Sequence, residues 1–217
     1  MDVELVVETV GKQVIAVCGV VIGSWLWREG RRSHNRVMLH WSVLFLSAVG
    51  YLFGALIVLG RGNAALLTRM HFFLGLVGVL PGALAATISM LPLNEQVREP
   101  LSLYLPLAVL AGLSIAVLSG AVQPGLPREE YVYAPAVMSM YVNTMMAAGM
   151  ISVAILTYLS VRLKSWLYLA MASAFLLITL GGRIVGVGLL NLALGQVTVL
   201  MGYLLFYYVF ARLVRMG

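Results

Sequence analysis

Seven apolar runs, each about long enough to cross a bilayer, follow one another along this chain with only short polar breaks between them. A helix crosses the hydrocarbon layer with roughly 20 mostly apolar residues. The runs fall at 5–27, 37–60, 70–93, 101–122, 137–161, 167–188 and 192–211. The breaks read REGRRSHNR, RGNAALLTR, NEQVREP, QPGLPREEYVYAPA and RLKSW, with a weak turn near 189–191. From 167 to 211 there is no charged loop, and about 45 residues are too many for one span, so this stretch is read as two helices in a tight hairpin.

Composition excludes a water-soluble globule. Hydrophobic residues make up 62% of the chain and charged ones 10%, with mean hydropathy +1.00, whereas a soluble domain carries roughly 25% charged residues. The expected fold is an all-α integral membrane protein, one seven-helix domain over 1–217 with no soluble domain. The longest loop, 123–136, holds three prolines. The amino-terminal MDVELVVETVGKQ lacks the basic flank of a secretory signal, so the first run is expected to be a retained span.

Lys and Arg in alternate loops set the orientation. One side collects Arg28, Arg31, Arg32, Arg36, Arg98, Arg162, Lys164, Arg212 and Arg215, and the other Lys12, Arg61, Arg69 and Arg128. The first group belongs in the cytoplasm, giving an outside amino terminus and a cytoplasmic carboxyl terminus in a multi-pass plasma-membrane protein. Trp25, Trp27, Trp41 and Trp166 all fall at that same cytoplasmic interface, where an aromatic belt is expected. The net charge of +6 is thus an orientation signal, and nucleic acid is not an expected partner.

Gly50-x-x-x-Gly54 in the second span is echoed by Gly182-x-x-x-Gly186 in the sixth, and NAAL at 63–66 by NLAL at 191–194. These echoes suggest a three-plus-one-plus-three internal repeat, an arrangement common in carriers. In topology the chain resembles the heptahelical sensory modules that head some microbial histidine kinases, and is similar in outline to small three-plus-one-plus-three carriers of sugars or vitamins. Both likenesses rest on helix number and loop style, and they carry over no residues.

The eight carboxylates, Asp2, Glu4, Glu8, Glu29, Glu95, Glu99, Glu129 and Glu130, lie in the amino-terminal segment or in loops. Glu8 and Lys12 have the i,i+4 spacing of a pair, placed by the hydropathy pattern near the outer headgroups. Deeper than that, no span holds Asp, Glu or Lys, which argues against proton pumps, cation-coupled carriers and intramembrane aspartyl enzymes. A retinal Schiff base has no mid-span lysine to form on.

The charge that does stand inside a span is Arg183, in GGRIVGVG near the outer end of the sixth run. Asn143 and Thr144, with Tyr141 above them, lie at a similar level in the fifth run, and Asn191 and Gln196 open the seventh. If these faces meet, Arg183, Asn143, Thr144, Gln196, Tyr141 and Asn191 line an outer-half pocket for an anionic or carbonyl-bearing ligand. The competing reading is an arginine that snorkels to the headgroups and polar residues that glue helices.

No catalytic acid–base pair or nucleophile is visible, and no enzyme activity is expected. Cys18 is the one cysteine, so neither a disulfide nor a thiolate metal site can form within the chain, and no metal is expected. No cofactor is expected either; the alternative is a single haem held by His71 with Met138 or Met140. The methionines of the fifth span read as flexible packing. Pro81-Gly82 predicts a kink in the third span, with a freed carbonyl that needs a partner.

Two functional readings stand ahead of a lipid-modifying enzyme. One is a small carrier or ligand-binding heptahelical protein. The other is a non-catalytic accessory or anchor subunit of a larger membrane complex, such as a respiratory electron-transfer complex. The partners expected are the lipid bilayer together with other membrane subunits or a second copy of the chain.

Overall fold

The computed structural model describes residues 3–60, 63–124, 131–184 and 189–216. Among them the chain forms helices α1 (Val3–Arg32), α2 (Arg36–Val58), α3 (Ala64–Ser89), α4 (Glu95–Ser119), α5 (Pro135–Leu163), α6 (Trp166–Ile184) and α7 (Leu189–Met216). Six are long and apolar enough to cross a membrane, and α6 is a shorter apolar helix of 19 residues. Several helices start before their apolar runs because an asparagine caps them. Asn35, Asn63 and Asn94 accept from the backbone N–H of Met38, Leu66 and Gln96, satisfying donors that a helix start leaves orphaned.

The long loop carries a short hairpin between the helices. Val122–Pro124 (β1) pairs antiparallel with Tyr131–Tyr133 (β2), with Val122 opposite Tyr133.

Close backbone approaches at glycines fix the helix directions. Gly19, Gly23 and Gly30 of α1 meet Ala48, Leu46 and Leu39 of α2, an antiparallel pair. Gly11 and Gly19 also meet Gln196 and Tyr203, so α1 and α7 run parallel. Gly181 lies against Gly195 and Val199, and Gly202 against Ala174 and Ile178, which packs α6 and α7 antiparallel. The helices close a ring in the order α1, α2, α3, α5, α6, α7, while α4 lies outside it against α3. Arg36 at the start of α2 pairs with Glu99 near the start of α4. Arg69 donates to the Gly120 carbonyl just past the end of α4 at 3.2 Å, where an exposed carbonyl attracts a cation. The face of the bundle at which α1 begins is called here the N-face, and the opposite one the C-face.

The expected kink lies in α3. Residues Gly78–Leu84 form a π-helical turn containing Pro81, and the Ala85 N–H donates to the carbonyl of Leu80, five residues back. Return to four-residue register passes over one carbonyl, that of Pro81. His40 of α2 reaches it with Nδ1 at 3.0 Å. His71 of α3 makes the converse bond, Nδ1 to the Gly50 carbonyl of α2 at 2.8 Å. A carbonyl only accepts, so both imidazoles donate from Nδ1. The contact between the two bonds is tight on both sides. A side chain on Gly82 would stand 2.7 Å from the Leu44 nitrogen, and α2 tightens into a 3₁₀ turn at Ser47–Val49 on the facing level. Replacing His40 with Phe leaves the Pro81 carbonyl unpaired away from water, which costs about 1–3 kcal/mol. The expected result is a lower melting temperature in detergent, whereas the surface variant Arg212→Ala leaves it unchanged.

The largest core fills the C-face half. Trp41 and Phe45 of α2 pack edge-on or tilted against Phe175 of α6 and Tyr203, Phe206 and Phe210 of α7. This corrects the aromatic-belt expectation in part. Trp27 and Trp166 are 41% and 54% exposed, as interface anchors are, but Trp41 is 0% exposed. A second core joins Leu76, Leu80, Leu84 and Ile88 of α3 to Val117 of α4 and Ala148 of α5. Beside it the Thr87 hydroxyl donates to Ser152 across α3 and α5 at 3.3 Å, a bond of the kind that glues membrane helices.

Candidate functional site

Helix α1 begins at Val3 and is 30 residues long, about 45 Å at the helical rise. The hydrocarbon layer is about 30 Å thick. Twenty residues counted back from Trp27 reach Glu8, so Lys12 lies about 6 Å further in. Glu8 and Lys12 share one helical face, and that face is turned into the bundle. The Lys12 Nζ meets Glu8 Oε1 at 2.5 Å, with the side chains 18% and 3% exposed. By this count the pair begins at the outer edge of the hydrocarbon layer, and what the structure adds is that protein covers it. Hydropathy says nothing of which face of the helix is covered.

Three neighbouring helices enclose the pair. Lys12 extends over Gly54 of α2, where an added Cβ would touch its Cδ, Cε and Nζ at 3.5–3.6 Å. From α7, the buried Gln196 donates Nε2 to the Glu8 carbonyl at 3.2 Å, and its amide lies on Gly11, which has no side chain to block it. From α3, His71 is close enough for the Lys12 charge to act on it. The His71 ring stands edge-on to Tyr51 of α2 and Phe72, with centroids at 5.9 and 5.5 Å. Thr9, next to Glu8, buries a hydroxyl with no partner among the described residues, as does Thr68 near the start of α3. A threonine in a helix ordinarily donates to a carbonyl one turn back.

Five of the six residues of the expected outer pocket have described side chains. Gln196 is on the buried pair. Tyr141 packs on Phe72 with ring centroids 4.7 Å apart, its hydroxyl against Gly75. Asn143 faces outward and donates to Ser139 at 3.3 Å, Thr144 is half-buried on α5, and Asn191 is exposed in the first turn of α7. The side chain of Arg183, and Gly186, lie outside the described residues.

Tyr141 and Phe72 also fill the level at which His71 and Met138 were considered for haem, Met138 being packed in the same apolar cluster. Among the described residues, no group of three His, Cys, Asp or Glu could hold a metal ion.

The arrangement has distinct chemical capacities. Lys12 brings an ammonium with three donors to the buried Glu8 side chain and Gln196 an amide to the Glu8 backbone, and His71 stands on the neighbouring helix α3. A charge there acts over a longer range than in water. An i,i+4 pair can open by side-chain rotation alone, with no movement of the backbone. The spacing of Glu8 and Lys12 was the sequence signal for this site, and its burial is what the spacing did not carry. Comparison with protein-family models, with characterised proteins and with solved structures finds no match for this chain.

Proposed function

We propose that this chain is a small seven-span carrier whose substrate site is the Glu8–Lys12 pair with Gln196 and His71. One observation carries the reading: among the described residues, a charged pair is packed between α1, α2 and α7, with the Glu8 side chain 3% exposed. An apolar pair of similar volume holds helices as well or better, and ionisable groups inside a membrane usually mark a transport path. The bending points of α2 and α3 on the facing level support it, because a carrier must expose its site to each side in turn. Placement of α4 outside the ring supports a three-plus-one-plus-three plan. The nine Lys and Arg residues at the C-face support a cytoplasmic C-face and a plasma-membrane location.

Access to the site tests the reading. Thr9→Cys in a Cys18→Ser background is exposed to a membrane-impermeant maleimide in right-side-out and in inverted vesicles. Labelling from both sides is the expected result. Labelling from one side alone overturns transport and leaves ligand binding. Labelling from neither makes the bundle a static anchor, such as a subunit of a larger complex.

A further inference from the structure

At its C-face end, α1 carries a set of residues apart from the buried pair. Ser24, Trp27, Arg28 and Arg31 are spaced i, i+3, i+4 and i+7, so they share one helical face, and all four are exposed. At Gly23 the neighbouring helix α2 comes so close that an added Cβ would stand 2.8 Å from Leu46 Cγ. Beside that crossing, Ser24, Trp27 and Arg28 of α1 and Leu46 of α2 line an open groove of about 340 Å³. We propose that this groove binds one anionic phospholipid of the C-face leaflet, with its phosphate on Arg28 and Arg31 and an acyl chain along Trp27 and Leu46.

Depth divides the groove into an apolar part and a charged part. With Trp27 at the edge of the hydrocarbon layer, Ser24 lies about 4.5 Å inside it and Arg31 about 6 Å beyond it at the helical rise. A phospholipid presents its acyl chain and its phosphate in the same order. The small Ser24 side chain keeps the groove open where the chain runs. A guanidinium holds a phosphate through two parallel N–H donors.

Charge selects the occupant. Among the described residues, Arg28 and Arg31 make no hydrogen bond or ion pair. The other C-face cations differ: Arg36 and Arg98 stand with Glu99 and Glu95, and Arg162 and Arg212 donate to Tyr158 and Tyr208. Glu29, the one carboxylate between Ser24 and Arg32, is turned about 100° from Arg28 around the helix. Two guanidinium groups on one face therefore lack an anion, and a lipid phosphate with no cation of its own supplies it. A choline headgroup brings a third cation to the same place.

The test uses the full chain reconstituted into phosphatidylcholine vesicles. A small fraction of phosphatidylglycerol brominated on its acyl chains is added, with brominated phosphatidylcholine as the neutral probe. Bromine quenches a tryptophan that it touches, and the quenching lost in Trp27→Phe belongs to the groove. At Trp27 the wild type is expected to prefer phosphatidylglycerol. Arg28→Gln/Arg31→Gln is expected to lose about thirtyfold of that preference, since each arginine near the surface acts on an anionic lipid. Arg162→Gln/Lys164→Gln removes as much charge from the end of α5, across the ring from α1, and is expected to leave the preference in place. Should the first double variant fail to fold, Arg28→Gln and Arg31→Gln singly are each expected to lose about fivefold. The proposal is overturned if the wild type shows no preference, or if neither Arg28 nor Arg31 changes it. Equal loss in the α5 variant makes the effect one of diffuse surface charge and overturns it too. Loss of the preference on adding glycerol phosphate to the solution assigns the arginines to a free phosphate compound instead of a lipid, and also overturns it.

Discussion

Lys12→Met should destabilise this protein by about 3–5 kcal/mol, the cost of removing one partner from a buried ion pair. Glu8, at 3% exposure, loses the ammonium that balances its charge. The double variant Glu8→Gln/Lys12→Met should recover most of the loss, because it removes both charges and keeps similar volumes. Denaturation in mixed detergent micelles measures both. A single variant as stable as wild type would return the pair to the headgroup layer, where an exposed i,i+4 pair contributes about 0.3–0.5 kcal/mol. The sign of the double variant matters as much as the size of the single one. Recovery means that the charges are not kept for stability, and a function must account for them.

The second large effect is expected at Trp41. Its ring touches Phe175, Phe206 and Phe210 at centroid distances of 6.2, 4.9 and 6.2 Å. Trp41→Ala therefore opens a cavity at the junction of α2, α6 and α7, with a loss of about 3–5 kcal/mol. Trp166→Ala, at a position 54% exposed, should stay within about 0.5 kcal/mol. The same denaturation experiment compares the two. Equal small effects would make both tryptophans interface anchors and would contradict the packing of the C-face core.

These two residues show where the sequence was legible. The number and rough position of the helices follow from the apolar runs, since a helix crosses a bilayer with roughly 17–25 mostly apolar residues. Pro81-Gly82 was legible as a kink with a needy carbonyl, because proline has no N–H to give. The carbonyl that His40 meets is a different one, that of Pro81 itself, which the π-helical turn passes over, and a donor 41 positions away on another helix was not legible. Trp41 has the position of a belt tryptophan, five residues from the start of α2, yet it turns inward. A helix apolar all round gives no periodic signal to distinguish its covered face from its lipid face.

The candidate site was half legible for the same reason. The spacing of Glu8 and Lys12 is that of a pair, and Gln196 stood out as a polar residue early in the last span. What joins them is the parallel packing of α1 on α7 through Gly11, a contact between opposite ends of the chain. The pocket expected around Arg183 depends on which faces of α5, α6 and α7 meet, and the Arg183 side chain lies outside the described residues, while Asn143 is exposed. Helix ends were misjudged where Asn63 and Asn94 cap a turn earlier than hydropathy begins.

The claim on which this account rests is that the Glu8–Lys12 pair is a ligand site and not a structural tie. The most direct measurement is ligand-induced thermal stabilisation, comparing the wild type with Glu8→Gln/Lys12→Met over lactate, benzoate, succinate, glucose and choline. The account predicts that a ligand raises the melting temperature of the wild type and leaves the folded double variant unmoved. Equal stabilisation of the two proteins would contradict it and place the binding site elsewhere in the bundle.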